Sequence, residues 1–150
     1  MPVFLADEQT LPVDVEDLVA LTHFVLDARR VPPDMEVALL LVDEPTIAQL
    51  NQQHLGHEGP TDVLAFPIDE PGESPPVGPA ILGDVVVCPA VAQRQARERG
   101  GGEHEELQLL TVHGLLHLLG MDHADPEEER EMFALTDELL VAHRQGASRA

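Results

Sequence analysis

The segment His113-Gly114-Leu115-Leu116-His117-Leu118-Leu119-Gly120-Met121-Asp122-His123 carries the clearest chemistry in the chain. On a helix, His113 and His117 project from one face about a turn apart. Gly120 lets the chain leave that helix, and His123 can then fold back toward the pair. Three converging neutral imidazoles suit Zn²⁺, which takes nitrogen ligands at ~2.0–2.1 Å. Three local ligands leave a fourth position for water or substrate, the mark of a catalytic rather than a sealed structural zinc. The competing reading is a set of unrelated core histidines. Val112, Leu115, Leu116, Leu118 and Leu119 make the predicted helix apolar nearly all round and so buried. Burying an imidazole there without a partner costs on the order of 1–3 kcal/mol, and a metal supplies the partner. The expectation is one zinc per chain on His113, His117 and His123, although imidazole also suits nickel, copper and iron.

The same spacing occurs in metzincin peptidases, which place a glutamate directly after the first histidine as general base. Here that residue is Gly114, which suggests close helix packing instead. A phosphoester hydrolase also needs a base and a positive group near its substrate. The weak catalytic candidates are His54 and His57, in the loop before Thr61, and Asp62. Solvated loop histidines and an Asx-type turn bond at Asp62 are the bland alternatives. Asp84, after Gly83 at a strand start, and Asp122, beside His123, could support an imidazole or merely serve a strand edge and a turn. Arg94, Arg97 and Arg99 form the one basic cluster, fit either for phosphates or for a solvated face. Cys88 reads as a buried small hydrophobe rather than a ligand.

The elements that must position these residues follow from periodicity and punctuation. Val3 to Leu5 reads as a short first strand. Asp14 caps a helix whose Val15, Leu18, Leu21, Val25 and Ala28 share a face, closed by Pro32-Pro33. Val37 to Val42 is a buried strand, and Pro45 opens a short helix through Ile47 and Leu50. Strands at Val63 to Phe66 and Ile81 to Cys88 flank a proline-rich surface loop at 67–80. Helices are predicted from Pro89 to Arg99 and from Glu103 to Leu119, the second ended by Gly120. A last helix starts at Asp125-Pro126 and aligns Met132, Leu135, Leu139 and Ala142. The expected fold is α+β: one domain over 1–150, a mixed sheet of about four strands, about five helices, and a disordered tail at 145–150. Strand order is left open.

Bulk composition bounds the rest. Among 150 residues, eight basic side chains, all arginine, face 28 acidic ones for a net charge of −20. Taken alone, that charge argues against a nucleic-acid partner, which calls for a basic footprint. A dication on neutral ligands is, however, a local positive centre that the formal count omits. The acidic balance therefore argues against unaided, non-specific RNA affinity rather than against RNA as substrate. No apolar run reaches membrane-span length, Met1 to Leu11 shows no signal pattern, and the single Cys88 excludes an internal disulfide and fits a reducing cytoplasm.

His113 to His123 resembles the signature of the YbeY family of bacterial metal-dependent endoribonucleases. Leu50-Asn51, Pro60-Thr61-Asp62-Val63-Leu64-Ala65-Phe66-Pro67, Leu82-Gly83-Asp84-Val85-Val86-Val87 and Glu105 agree in order and approximate spacing, so the likeness spans roughly residues 36–142. The resemblance implies an α+β fold, zinc on His113, His117 and His123, and cleavage of single-stranded RNA. It further implies 16S ribosomal RNA 3′-end maturation and ribosome quality control, with the ribosome or its small subunit and assembly proteins as partners. Two departures stand out. Leu55 occupies the place of a family arginine associated with activity, and Ala65 that of a frequent serine. The alternatives are a non-catalytic, zinc-stabilised ribosome-assembly factor, which Leu55 favours, and a zinc metallopeptidase.

Overall fold

The computed structural model describes residues 2–71, 78, 80–122 and 124–148. The chain runs β1 (Val3–Glu8), α1 (Val15–Ala28), β2 (Glu36–Val42), α2 (Glu44–Leu55), β3 (Val63–Pro67), β4 (Ile81–Val87), α3 (Pro89–Arg99), α4 (Glu103–Leu118) and α5 (Pro126–Ser148). The strands form one mixed sheet in the order β1-β2-β4-β3. β1, β2 and β4 are parallel, and β3 returns antiparallel along β4. The α+β class, the four strands and the five helices agree with the sequence expectation.

The sheet buries both faces, which is why β2 and β4 are nearly continuous apolar runs. Val37, Leu39, Leu41, Leu82, Val85 and Val87 point to the layer of α1, α4 and α5. Val42, Leu64 and Val86 point the other way, onto Ile47 and Leu50 of α2. Carboxylates start the helices: Asp14 accepts from the Asp17 amide at 3.1 Å, Asp43 from Thr46 at 3.0 Å and Asp125 from Glu128 at 2.8 Å.

Several boundaries move. β1 continues to Glu8 because its partner β2 is long and buried; Asp7 and Glu8 pair with Leu41 and Val42 at a sheet edge that tolerates acids. α2 runs past Leu50 to Leu55, so His54 lies on its last turn and not in a loop. The surface loop expected at 67–80 begins later. Pro67 still pairs with Gly83, and the Ile68 and Asp69 amides donate to the Leu82 and Ile81 carbonyls. Positions 72–77 and 79 of that loop lie outside the described residues. Residues 145–148, expected in a disordered tail, instead continue α5. Helix propagation is cheap once preceding turns are anchored, and Leu139, Leu140 and His143 anchor them.

That anchor is a polar hub absent from the sequence reading. Asp17 of α1 accepts from His104 Nε2 at 2.6 Å, Gln108 Nε2 at 2.8 Å and His143 Nε2 at 2.9 Å, tying α1 to α4 and α5. An ionised carboxylate only accepts, so both imidazoles present Nε2–H. Burial pushes Asp17 up, but the hydrogen bonds from His143, Gln108 and His104, with the coulombic effect of His143, outweigh it and hold the carboxyl at about 2 against an ordinary 3.8. Because the folded value is the lower one, this contribution is complete above the unfolded value and fades as pH falls from about 4 toward 2. Asp17→Asn is expected to cost about 1–3 kcal/mol at neutral pH by chemical denaturation. It should also lose less stability than wild type between pH 4 and pH 2; equal acid slopes would remove the hub's role.

Candidate metal centre

α4 is the helix against which the rest is assembled, in contact with β3, β4, α1, α3 and α5. Glu103, Glu105 and Glu106 complement its amino end. Its interior is buried all round through Leu107, Leu110, Val112, Leu115, Leu116 and Leu118. Gly114 lets it approach the sheet: a Cβ there would lie 2.5 Å from Val85 Cγ1 and 3.2 Å from Val63 Cγ2. A glutamate at 114 would have to displace both valines, so the fold has no place for a metzincin-type base.

His113 and His117 flank that contact, each partly buried. The His113 ring tilts at 60° against Phe133 of α5, with centroids 5.2 Å apart, and its Nε2 is shielded from solvent. His117 lines an open cleft of about 420 Å³ with Leu55, Val63, Leu64, Ala65, Pro67, Gly120, Met121 and Asp122. Beyond His117 the helix closes in a Schellman turn. Gly120, at φ 90°, donates to the His117 carbonyl at 3.0 Å, and Met121 donates to Leu116 at 3.0 Å. The glycine cap expected from sequence is therefore present, and it sends the chain back over the cleft.

His123 lies outside the described residues. Among the described residues, no group of three His, Cys, Asp or Glu side chains is placed to hold a metal ion. The donor set that is described fits a soft-to-borderline cation: two imidazoles one turn apart, one enclosed and one opening on a cleft.

The other candidates disperse. His54 is exposed and its ring meets Phe66 edge-on at 5.0 Å, on the α2 side of the sheet. His57 is exposed beyond the α2 cap. The Asp62 carboxylate accepts from the Val63 amide at 2.8 Å, Gln95 of α3 at 3.2 Å and Thr61 at 3.4 Å, bonds to adjacent residues and to α3 rather than the Asx turn named as its alternative. Asp84 alternates with Val85, which faces Gly114, and so lies on the sheet face away from the histidine helix. Asp122 does border the cleft beside His117. Arg94 pairs with Glu44, Arg97 with Glu103 at 3.9 Å and Arg99 with Glu106 at 3.1 Å, so the basic cluster already faces acids. Cys88 is buried at the start of α3, and burial pushes its thiol up, as expected of a hydrophobe rather than a ligand. Phe133 escaped the sequence reading. Its signal was a large aromatic off the Met132–Leu135–Leu139 stripe, in a chain with four phenylalanines and neither tyrosine nor tryptophan.

Comparison with known proteins converges on one family. The profile of the family described as endoribonuclease YbeY matches residues 5–144. The endoribonuclease YbeY of Nocardioides sp. is 56% identical over 149 residues, covering 96% of this chain and 99% of that one. That of Acidothermus cellulolyticus is 52% identical over 151 residues, covering 96% and 92%. The solution structure of TM1509 from Thermotoga maritima superposes with a TM-score of 0.61 at 27% identity, covering 99% of this chain and 95% of that one.

The Gly114 contact generates a direct test. Gly114→Ala is expected to destabilise by about 1–3 kcal/mol through overpacking. Val85→Ala in the same chain should recover part of that loss, measured as a coupling energy in a double-mutant denaturation cycle. Strict additivity would show that the approach is slack.

Proposed function

The chain belongs to the endoribonuclease YbeY family, and from that premise we propose that it is a zinc-dependent endoribonuclease cutting single-stranded ribosomal RNA. The proposed setting is 16S 3′-end maturation and ribosome quality control in the cytoplasm, on the ribosome or its small subunit with assembly proteins. The observation that carries the reading is the pairing of His113 with His117 on a rigidly seated helix, His117 opening on the cleft.

His113, His117 and His123 would hold the metal, one per chain. When bound, it supplies a Lewis acid that activates water near neutral pH and polarises a phosphoryl oxygen. The surrounding residues do the rest. Leu55, Val63 and Met121 contribute apolar surface to the open cleft. The Phe133 ring packs at a tilt against one side of His113. Asp122, the one carboxylate among the described lining residues, offers a proton acceptor. No helix among the described residues is long and apolar enough to cross a membrane.

A second reading, a non-catalytic zinc-stabilised assembly factor, is favoured by Leu55. It sits on the cleft rim, 55% exposed, where the family arginine would hold a phosphate.

Purified protein is expected to carry about one metal per chain by elemental analysis and to cut single-stranded rRNA precursor. His117→Ala should lower cleavage about 100-fold or more while keeping the thermal midpoint of the metal-free protein. Equal cleavage by both proteins sinks the enzyme reading, and unfolding of the variant with no cleavage by wild type favours the assembly factor. Leu55→Arg is expected to raise kcat/KM about tenfold through a charge-assisted phosphate contact; an unchanged value would show that this position does not clamp phosphate.

A further inference from the structure

Phe133 stands on α5 against the His113 ring, with 45% of its surface open to solvent. Contacts run in a row: the cleft touches His117, His117 is one turn from His113, and His113 touches Phe133. A strand crossing the imidazole pair would therefore meet an aromatic ring as it leaves.

What else could hold RNA here is scarce: exposed Arg130, one turn before Phe133 on α5, is the one basic side chain near it on that helix. The arginines of α3 are matched to glutamates, and a neighbouring hollow is lined by Asp122, Glu128 and Glu131. Against Asp122, Glu128 and Glu131, Arg130 alone offers phosphates little compensation, whereas a neutral nucleobase is not repelled by acids. Every base has a π-face, and aromatic stacking is the sequence-tolerant way to hold a single strand. The other exposed phenylalanine, Phe4, is on edge strand β1, away from α4.

We propose that Phe133 is the stacking platform on which a nucleobase of the single strand rests beside the histidine pair. It rests on the single-stranded-RNA reading of the site and adds that affinity comes from bases rather than from the backbone. Phe133 is thus a positioning residue, setting where along the strand the phosphate reaches His113 and His117.

The chain lacks tryptophan, so Phe133→Trp creates a sole emitter at the proposed platform. On rapid mixing with a single-stranded oligoribonucleotide its emission should be quenched, and a matched abasic ribose-phosphate strand should leave it unchanged. Phe133→Ala is expected to weaken binding of the base-bearing strand about 5- to 150-fold. It should bind the abasic strand as wild type does, and Phe133→Tyr should restore binding of the bases. If wild type cuts RNA but both strands bind equally, Phe133→Ala is unaltered and the Phe133→Trp emission does not move, the platform is overturned while the enzyme reading stands. If metal-loaded wild type neither binds nor cuts either strand, the enzyme reading itself fails and the platform falls with it.

Discussion

The seating of α4 against the sheet at Gly114 is the constraint from which the rest of the molecule follows. Val85 and Val63 occupy the space that any side chain at 114 would need. Protein interiors are close-packed and resist such displacement. The two histidines lie on either side of this contact, so the seating of the helix sets where each stands, His117 on the cleft and His113 against Phe133. The same close approach lets α1, α3 and α5 gather around α4 as a second layer. Removing a side chain at one position thus defines both the core and the site.

How much of this could be read from the residues depends on the range of the interaction. The histidine pair, the Gly120 cap and the acid-capped helix starts are local, and the spacing of a few residues shows them. The face taken by α1, with Leu18, Leu21 and Val25, is equally legible from period. The end of α2 was not, because Gln52, Gln53 and His54 carry no apolar pattern and the helix stops only at the left-handed Gly56. Strand order was hidden for another reason. β2 and β4 are alike in composition, and nothing within either says that they are neighbours. The Asp17 hub joins residues 87 and 126 positions apart, and Phe133 meets His113 across a turn. Such juxtapositions exist only in the fold.

The charge of −20 acquires a different meaning once it is placed. Arginines that looked like a phosphate patch are joined to Glu44, Glu103 and Glu106, and they stitch α3 to α2 and to the start of α4. The basic charge of α3 is spent on architecture. The surface is left strongly acidic, which favours solubility and disfavours indiscriminate contact with polyanions. Under the proposed function, a protein with this balance would depend on geometry rather than on bulk charge to engage RNA.

The position of α4 along the chain also governs how the domain comes into being. Synthesis delivers β1, β2, β3 and β4 before the first residue of α4 leaves the ribosome. The sheet face bearing Val37, Leu39, Leu82 and Val85 is covered only in part, by α1, until residues 103–118 arrive. At about 5–20 residues per second, that interval lasts seconds, long against collapse of a short segment. Packing on that face stays incomplete meanwhile, because β3, β4, α1, α3 and α5 all contact α4. Packing of this face is therefore completed only after α4 emerges, and the uncovered strands are where a chaperone would be met.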